Sequence, residues 1–158
     1  MGADITINFK KKTSCINEPM CDIKVRHSKL IGTNITPSEI PLLIDEIPLI
    51  SVLATQASGE TVIRGASELR VKESDRISTI CMNLKNLGAD VTEMKSGMAI
   101  NGRKNLYNTN IITDNDHRIA LSFMTLESVV DGGLRIDNPD CINYSFPEFS
   151  SVISGLMK

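Results

Sequence analysis

Long apolar runs are missing from this 158-residue sequence, and no stretch approaches the ~18 consecutive apolar residues of a membrane-spanning helix. A basic segment followed by an apolar stretch is also missing from Met1 to Phe9, so no secretory signal is expected and the expected compartment is the cytoplasm. There is no basic surplus: 17 Lys and Arg against 19 Asp and Glu give a formal charge of −2, too little to neutralise a nucleic-acid backbone. The longest basic run, Lys10-Lys11-Lys12, reads as a solvated strand end. Histidine is scarce, with only His27 and His117 present. The cysteines Cys15, Cys21, Cys81 and Cys141 include no Cys-x-x-Cys pair. A zinc site usually draws four ligands from two close pairs, so no metal centre is expected, nor any disulfide or catalytic cysteine. Cys81 falls on an apolar helical stripe and reads as a small core residue.

What remains is 41% hydrophobic and 23% charged, the composition of a soluble globular domain. Residues Ala3 to Phe9 alternate polar and apolar, a strand signal, and the stretch Cys21 to Gly32 supplies further short strand pieces. Pro37 and Pro41 punctuate a turn. From Asp45 to Ala57 apolar residues spread almost all round a helical wheel, which places that helix in an interior, with Pro48 tolerated in its first turn. Thr61-Val62-Ile63 reads as strand. Next comes an amphipathic helix with Ile77, Ile80, Leu84 and Leu87 on one face, closed by Gly88. A hairpin follows over Asp90–Ile100, turning at Ser96-Gly97. A second buried-type helix spans Ile119–Leu126, then a strand at Leu134–Ile136, then a final amphipathic helix introduced by Pro147.

This order repeats. Met1-Gly2-Ala3-Asp4-Ile5-Thr6 recurs as Leu87-Gly88-Ala89-Asp90-Val91-Thr92, and each buried helix is followed by a short strand and an amphipathic helix. The approximate repeats are 1–86 and 87–158, with the first lacking the helix that precedes its Gly-Ala-Asp strand in the second. The length that suits one domain is therefore expected to mark a fragment.

Charged clusters fall at helix starts: Asp45 and Glu46, then Lys72, Glu73, Asp75 and Arg76, then Asp116, His117 and Arg118. Helix N-termini offer unpaired N–H groups and roughly half a unit of positive charge. Repeated units point equivalent ends the same way, so Lys72, Arg76 and Arg118 are candidates for a phosphate or carboxylate site. Asp45 and Glu73 among them are candidates for acid–base work. The plainer reading makes Asp45, Ser74 and Asp116 helix caps and leaves the arginines paired with carboxylates on a solvated rim.

The ten-residue run Glu68-Leu69-Arg70-Val71-Lys72-Glu73-Ser74-Asp75-Arg76-Ile77 resembles a signature of the 5-enolpyruvylshikimate-3-phosphate synthase family, also called 3-phosphoshikimate 1-carboxyvinyltransferase. Asp116-His117-Arg118-Ile119-Ala120 is similar to the second signature, and Ile44-Asp45-Glu46-Ile47-Pro48 and Ser145-Phe146-Pro147-Glu148-Phe149 match in order and spacing. The resemblance implies an α/β (α+β) fold of the enolpyruvyl transferase type, with repeated βαβαββ units, buried helices and outward sheets. About two of a domain's three units are expected here, residues 1–158 forming the C-terminal part of the C-terminal domain.

It further implies transfer of the enolpyruvyl group of phosphoenolpyruvate to the 5-hydroxyl of shikimate 3-phosphate, with release of phosphate and no cofactor. By motif, Asp45 matches the base that deprotonates the hydroxyl, and Glu73 matches the acid that helps protonate the methylene carbon. Lys72 matches a residue on the shikimate 3-phosphate side. Arg76 and Arg118 match the arginines that grip phosphoenolpyruvate, with His117 adjacent. The partners implied are the two substrates and the N-terminal domain of the same enzyme, with no nucleic acid and no membrane.

Two positions depart from the pattern of some members: Tyr144 stands where they carry lysine, and Glu68 where they carry asparagine. Lacking the rest of a split site, the chain alone is expected to show no appreciable synthase activity. The alternatives are UDP-N-acetylglucosamine enolpyruvyl transferase, against which the Lys72–Arg76 run argues, and a truncated non-catalytic domain that binds phosphorylated ligands.

Overall fold

The computed structural model describes residues 1–10, 19–102 and 105–156. Strands β1 (Asp4–Phe9) and β2 (Cys21–Arg26) form an antiparallel hairpin. Its register sets Ile5, Ile7 and Phe9 opposite Val25, Ile23 and Cys21, so by strand alternation one face is wholly apolar and the other carries Asp4, Thr6, Asp22, Lys24 and Arg26. Both strands are solvent-exposed, Phe9 at 71%. Cys15 and the Lys11-Lys12 part of the basic run lie outside the described residues; Lys10 pairs with Asp22 at 2.8 Å.

Strand β3 (Asn34–Ile35) leads through a short helix α1 (Ile40–Leu43) to α2 (Ile47–Gln56), and β4 (Glu60–Ile63) returns parallel to β3. Pro41, expected in a turn, sits in the first turn of α1, where its missing N–H is no loss. After a 3₁₀ segment at Ser67–Val71 come α3 (Arg76–Asn86) and the hairpin β5 (Asp90–Met94) with β6 (Gly97–Asn101). These strands build one mixed sheet of order β3-β4-β6-β5. The chain then repeats the strand–helix–strand pattern: β7 (Asn110–Ile111), α4 (His117–Leu126) and β8 (Arg135–Ile136), with β8 again parallel to β7. A 3₁₀ segment at Pro139–Tyr144 and helix α5 (Phe149–Leu156) follow.

Helix α3 shows how closely its sequence dictates its form. Asp75 caps it by accepting the Ser78 N–H at 3.0 Å, and Ile77, Ile80, Cys81 and Leu84 are fully buried. At its other end Gly88 has φ +86°. Its N–H donates to the Lys85 carbonyl, and the Ala89 N–H to the Leu84 carbonyl, the paired bonds of a glycine-closed helix end. Gly2 has φ +74°, and each of these glycines stands two residues before its strand, β1 or β5.

Helices α2 and α4 pack against each other above the sheet, and α2 also meets α3 and β6. The core they share includes Ile47, Val52, Ile63, Leu69, Ile77, Ile80, Met98, Ile119 and Phe123. Buried hydroxyls in both helices bond to their own preceding turns. Ser51 donates to the Ile47 carbonyl at 2.8 Å, and Ser122 to the Arg118 carbonyl at 2.7 Å. The all-round burial expected of α2 is only partly met. Ile47, Ser51, Val52, Ala54 and Thr55 are buried, whereas Leu49 and Ile50 are half-buried and Leu53 is 40% exposed. Apolar residues all round a helix show that it can be enclosed, and here the described elements enclose one side. Among the described cysteines Cys21, Cys81 and Cys141 are free thiols. No described helix is long and apolar enough to cross a membrane.

Candidate active site

The starts of α2, α3 and α4 converge, and Arg76, the first residue of α3, lies among them almost completely enclosed at 1% exposure. Its Nε donates to Asp116 Oδ2 at 2.7 Å, and Nη2 reaches Asp116 Oδ1 at 3.4 Å. The remaining edge turns toward acids before the helices, Nη1 to Asp45 Oδ1 at 3.3 Å and Nη2 to Glu73. Burial alone would make the guanidinium easier to deprotonate, but the hydrogen bond and charge of Asp116, then the charges of Glu73 and Asp45, outweigh it and hold its pKa above the ordinary arginine value.

Asp116 is itself fully buried. It accepts from Ser74 Oγ at 3.0 Å and from the Arg118 backbone N–H at 3.0 Å, the second contact capping α4. Burial opposes its ionisation, yet the hydrogen bond and charge of Arg76, with the bonds from Arg118 N–H and Ser74, bring its pKa below the ordinary aspartate value. Arg118 is one-third exposed and reaches across to the start of α2. Nη1 donates to the Asp45 carbonyl at 3.0 Å, Nη2 approaches Asp45 Oδ2 at 3.3 Å, and Glu46 lies 3.5 Å from Nη1. Beside them opens a cleft lined by Asp45, Glu46, Leu49, Arg118, Leu121 and Ser122.

Five of the six residues singled out from the sequence fall on this convergence of helix starts. Asp45 and Glu73 reach Arg76, Asp45 also reaches Arg118, and His117 opens α4 as a half-buried residue next to Arg118. Lys72 is turned to a different partner, Glu68, with Nζ 3.0 Å from Oε1.

The geometry supplies partners for the candidate cations and corrects the plainer reading of the helix starts. Arg76 and Arg118 are matched by Asp45, Glu46, Glu73 and Asp116, and Lys72 by Glu68. Charges enclosed at this depth are paired or they are too costly to bury. Asp45 and Ser74 are not caps: Glu46 holds the N-cap position of α2 without a side-chain bond, and Asp75 caps α3. Nor is Arg76 on a solvated rim.

Two residues escaped sequence reasoning. Asp116 was legible only as a cap. Arg70 braces the segment before α3 against the β5–β6 turn, bonding Asp75 at 2.9 Å, Glu93 at 2.9 Å, and the Met94 and Lys95 carbonyls at 2.8 Å each. Those acidic partners raise its pKa. The signal available for Arg70 was its place inside the ten-residue signature. Among the described residues no group of three or more His, Cys, Asp or Glu side chains could hold a metal ion.

The sequence profile of the EPSP synthase family, 3-phosphoshikimate 1-carboxyvinyltransferase, matches residues 1–153. The chain belongs to that family. The 3-phosphoshikimate 1-carboxyvinyltransferase of Persephonella marina is 46% identical over 151 residues, covering 94% of this chain and 34% of the relative. That of Aquifex aeolicus is 45% identical over 150 residues, again 94% of this chain and 34% of the relative. The solved EPSP synthase of Acinetobacter baumannii superposes with a TM-score of 0.90 at 35% identity, covering 98% of this chain and 36% of that one. The α/β enolpyruvyl transferase fold implied by the signatures is thus the fold observed. The chain spans about a third of the length of the curated EPSP synthases it matches.

Proposed function

We propose that this chain contributes one side of the active site of an EPSP synthase, the enzyme that moves the enolpyruvyl group of phosphoenolpyruvate to the 5-hydroxyl of shikimate 3-phosphate and releases phosphate. Arg76 and Arg118 bind the carboxylate and phosphate of phosphoenolpyruvate, for which a planar guanidinium suits better than an ammonium. Asp45 takes the proton of the 5-hydroxyl, Glu73 helps deliver one to the methylene carbon, Lys72 faces the 3-phosphate, and His117 flanks the arginines.

The observation that carries this reading is that Asp45 and Glu73 converge on one buried arginine while Asp45 also holds the second. Substrate anions then enter by exchange. A carboxylate or phosphate takes over the arginine edges now held by Asp45, Glu46 and Glu73, and releases the two catalytic carboxyl groups for proton transfer.

The chain is read as two βαβαββ-type units, residues 1–86 and 87–158, from the C-terminal domain of a cytoplasmic enzyme. Its macromolecular partner is the remainder of that enzyme, neither nucleic acid nor membrane, and the reading calls on no cofactor. The family match favours shikimate 3-phosphate over a sugar-nucleotide acceptor.

The test is a phosphate-release assay and a titration on the same sample. The chain alone is expected to give no turnover with both substrates, yet to show amide shifts near Arg118 with phosphoenolpyruvate and near Lys72 with shikimate 3-phosphate. Turnover at a rate normal for an enzyme overturns the split-site reading. No shift at either position overturns the substrate reading and leaves a structural domain.

A further inference from the structure

The Arg76–Asp116 pair is the most enclosed ion pair among the described residues, with side chains 1% and 0% exposed, and none of the roles assigned above uses Asp116. Its four contacts have a common geometry. Asp116 takes the Nε edge of Arg76 with both oxygens, which fixes the plane of the guanidinium and leaves Nη1 and the outer side of Nη2 directed at Asp45 and Glu73. One carboxylate thus sets which edge of Arg76 is offered to a substrate anion. The same carboxylate accepts the Arg118 backbone N–H at 3.0 Å, so it also fixes the turn from which the second arginine projects. Ser74 Oγ, at 3.0 Å, engages Oδ2 and ties in the segment ahead of α3. Buried, hydrogen-bonded groups behind a binding residue are what hold it to a productive geometry.

We infer that Asp116 is the positioning residue of the anion clamp, orienting the Arg76 guanidinium and locking the start of α4 so that Arg76 and Arg118 present one preset pair of guanidinium edges to phosphoenolpyruvate. The inference rests on the substrate reading given above for the identity of the ligand, but not for the orientation of Arg76. The bonds from Arg76, Ser74 and Arg118 outweigh burial and keep Asp116 charged in this role. No proton passes through it, because it lies behind the arginine and away from the edge offered to the ligand.

The experiment compares the unmodified chain with Asp116→Asn and with Ile80→Ala, a core substitution that destabilises α3 while leaving every charged and hydrogen-bonding side chain of the cluster in place. Nuclear magnetic resonance of the Arg76 Nε–H group and titration with phosphoenolpyruvate are read on each. In the unmodified chain the Arg76 Nε–H is expected to be a distinct, slowly exchanging signal. In Asp116→Asn it is expected to shift and exchange rapidly, with phosphoenolpyruvate binding weakened about tenfold. Ile80→Ala, although less stable, should keep both.

An unchanged Arg76 signal in Asp116→Asn, or equal weakening in Ile80→Ala, overturns the inference. If Asp116→Asn does not fold, the unmodified chain still decides: an Arg76 Nε–H that exchanges as fast as that of exposed Arg64 refutes the orientation. Failure of the unmodified chain to bind phosphoenolpyruvate sinks the substrate reading instead, and the Arg76 signal then judges the role of Asp116 by itself.

Discussion

Replacing Arg76 by methionine tests the electrostatic core of the site through stability rather than activity. Methionine approximates the aliphatic stem of arginine and removes the charge, so Asp116 keeps only Ser74 Oγ and the Arg118 N–H while remaining fully enclosed. Breaking one side of a buried ion pair costs about 3–5 kcal/mol. At about 2–4 °C per kcal/mol for a chain of this size, Tm at pH 7 falls by roughly 6–20 °C.

The pH dependence has a definite sign. With Arg76 present, the folded-state pKa of Asp116 is depressed. The stability it contributes is therefore complete above the ordinary aspartate value of ~3.9 and is lost only as pH falls through the lower folded value. Without Arg76, burial is the largest influence and raises the pKa, so the variant regains stability as pH falls from 7 toward about 4.5. The gap between the two proteins should narrow over that range in thermal unfolding followed by circular dichroism. Adding Asp116→Leu should recover most of the loss, all but about 1 kcal/mol for the missing cap of α4. A gap below about 2 °C at pH 7, or one that stays constant down to pH 4.5, refutes the claim that this pair is buried and tightly coupled.

Glu68→Gln should free Lys72 from its 3.0 Å ion pair and tighten shikimate 3-phosphate binding by up to about fivefold in calorimetric titration, with Lys72→Ala abolishing the gain. Cys81 is fully buried and its thiol is pushed up to about 12, by burial first and then the charge of Glu93. It should therefore stay unmodified by iodoacetamide at pH 8 while partly exposed Cys21 reacts, and mass spectrometry showing equal labelling would contradict that core placement. Gly97→Ala would drive a methyl group into the Ile63 carbonyl where β4 and β6 pair, costing about 2 kcal/mol or more in urea unfolding. An unchanged midpoint would mean that the strands can separate freely there.

Periodicity made the helices and strands of the central part legible because their burial is local in origin. The stripe of Ile77, Ile80 and Leu84 is the buried face of α3, and Gly88 closes that helix by the positive φ that glycine accepts readily. The 3₁₀ segments at Ser67–Val71 and Pro139–Tyr144 have no such stripe and left no signal. The charged residues at helix starts were legible as candidates, but their partners were not. Asp116 lies 40 residues from Arg76, and nothing near it in sequence distinguishes a cap from the anchor of a buried guanidinium. Lys72 shows the opposite limit: its partner Glu68 is only four residues away, a spacing the sequence does display. Exposure of Leu53 and of the apolar hairpin face was illegible too, because alternation tells which side can be covered and not whether anything covers it.

The long spans bridged by the cluster also bear on the order in which the chain can fold. Arg76 and Asp116 are 40 residues apart, and Arg118 reaches the carbonyl of Asp45 across 73. Contacts of such separation form only after the loops between them have closed, so the clamp is completed late, when α4 docks on α2 and α3. A chain with the β3-β4-β6-β5 sheet and α3 in place but α4 undocked would hold Arg76 without its anchor. Affinity for a substrate anion is then a property of the docked whole, and a ligand at a hundred times its Kd adds about 2.7 kcal/mol to that state alone. Anion binding should consequently vanish in a single step along an unfolding transition, while the helix content of the chain declines more gradually.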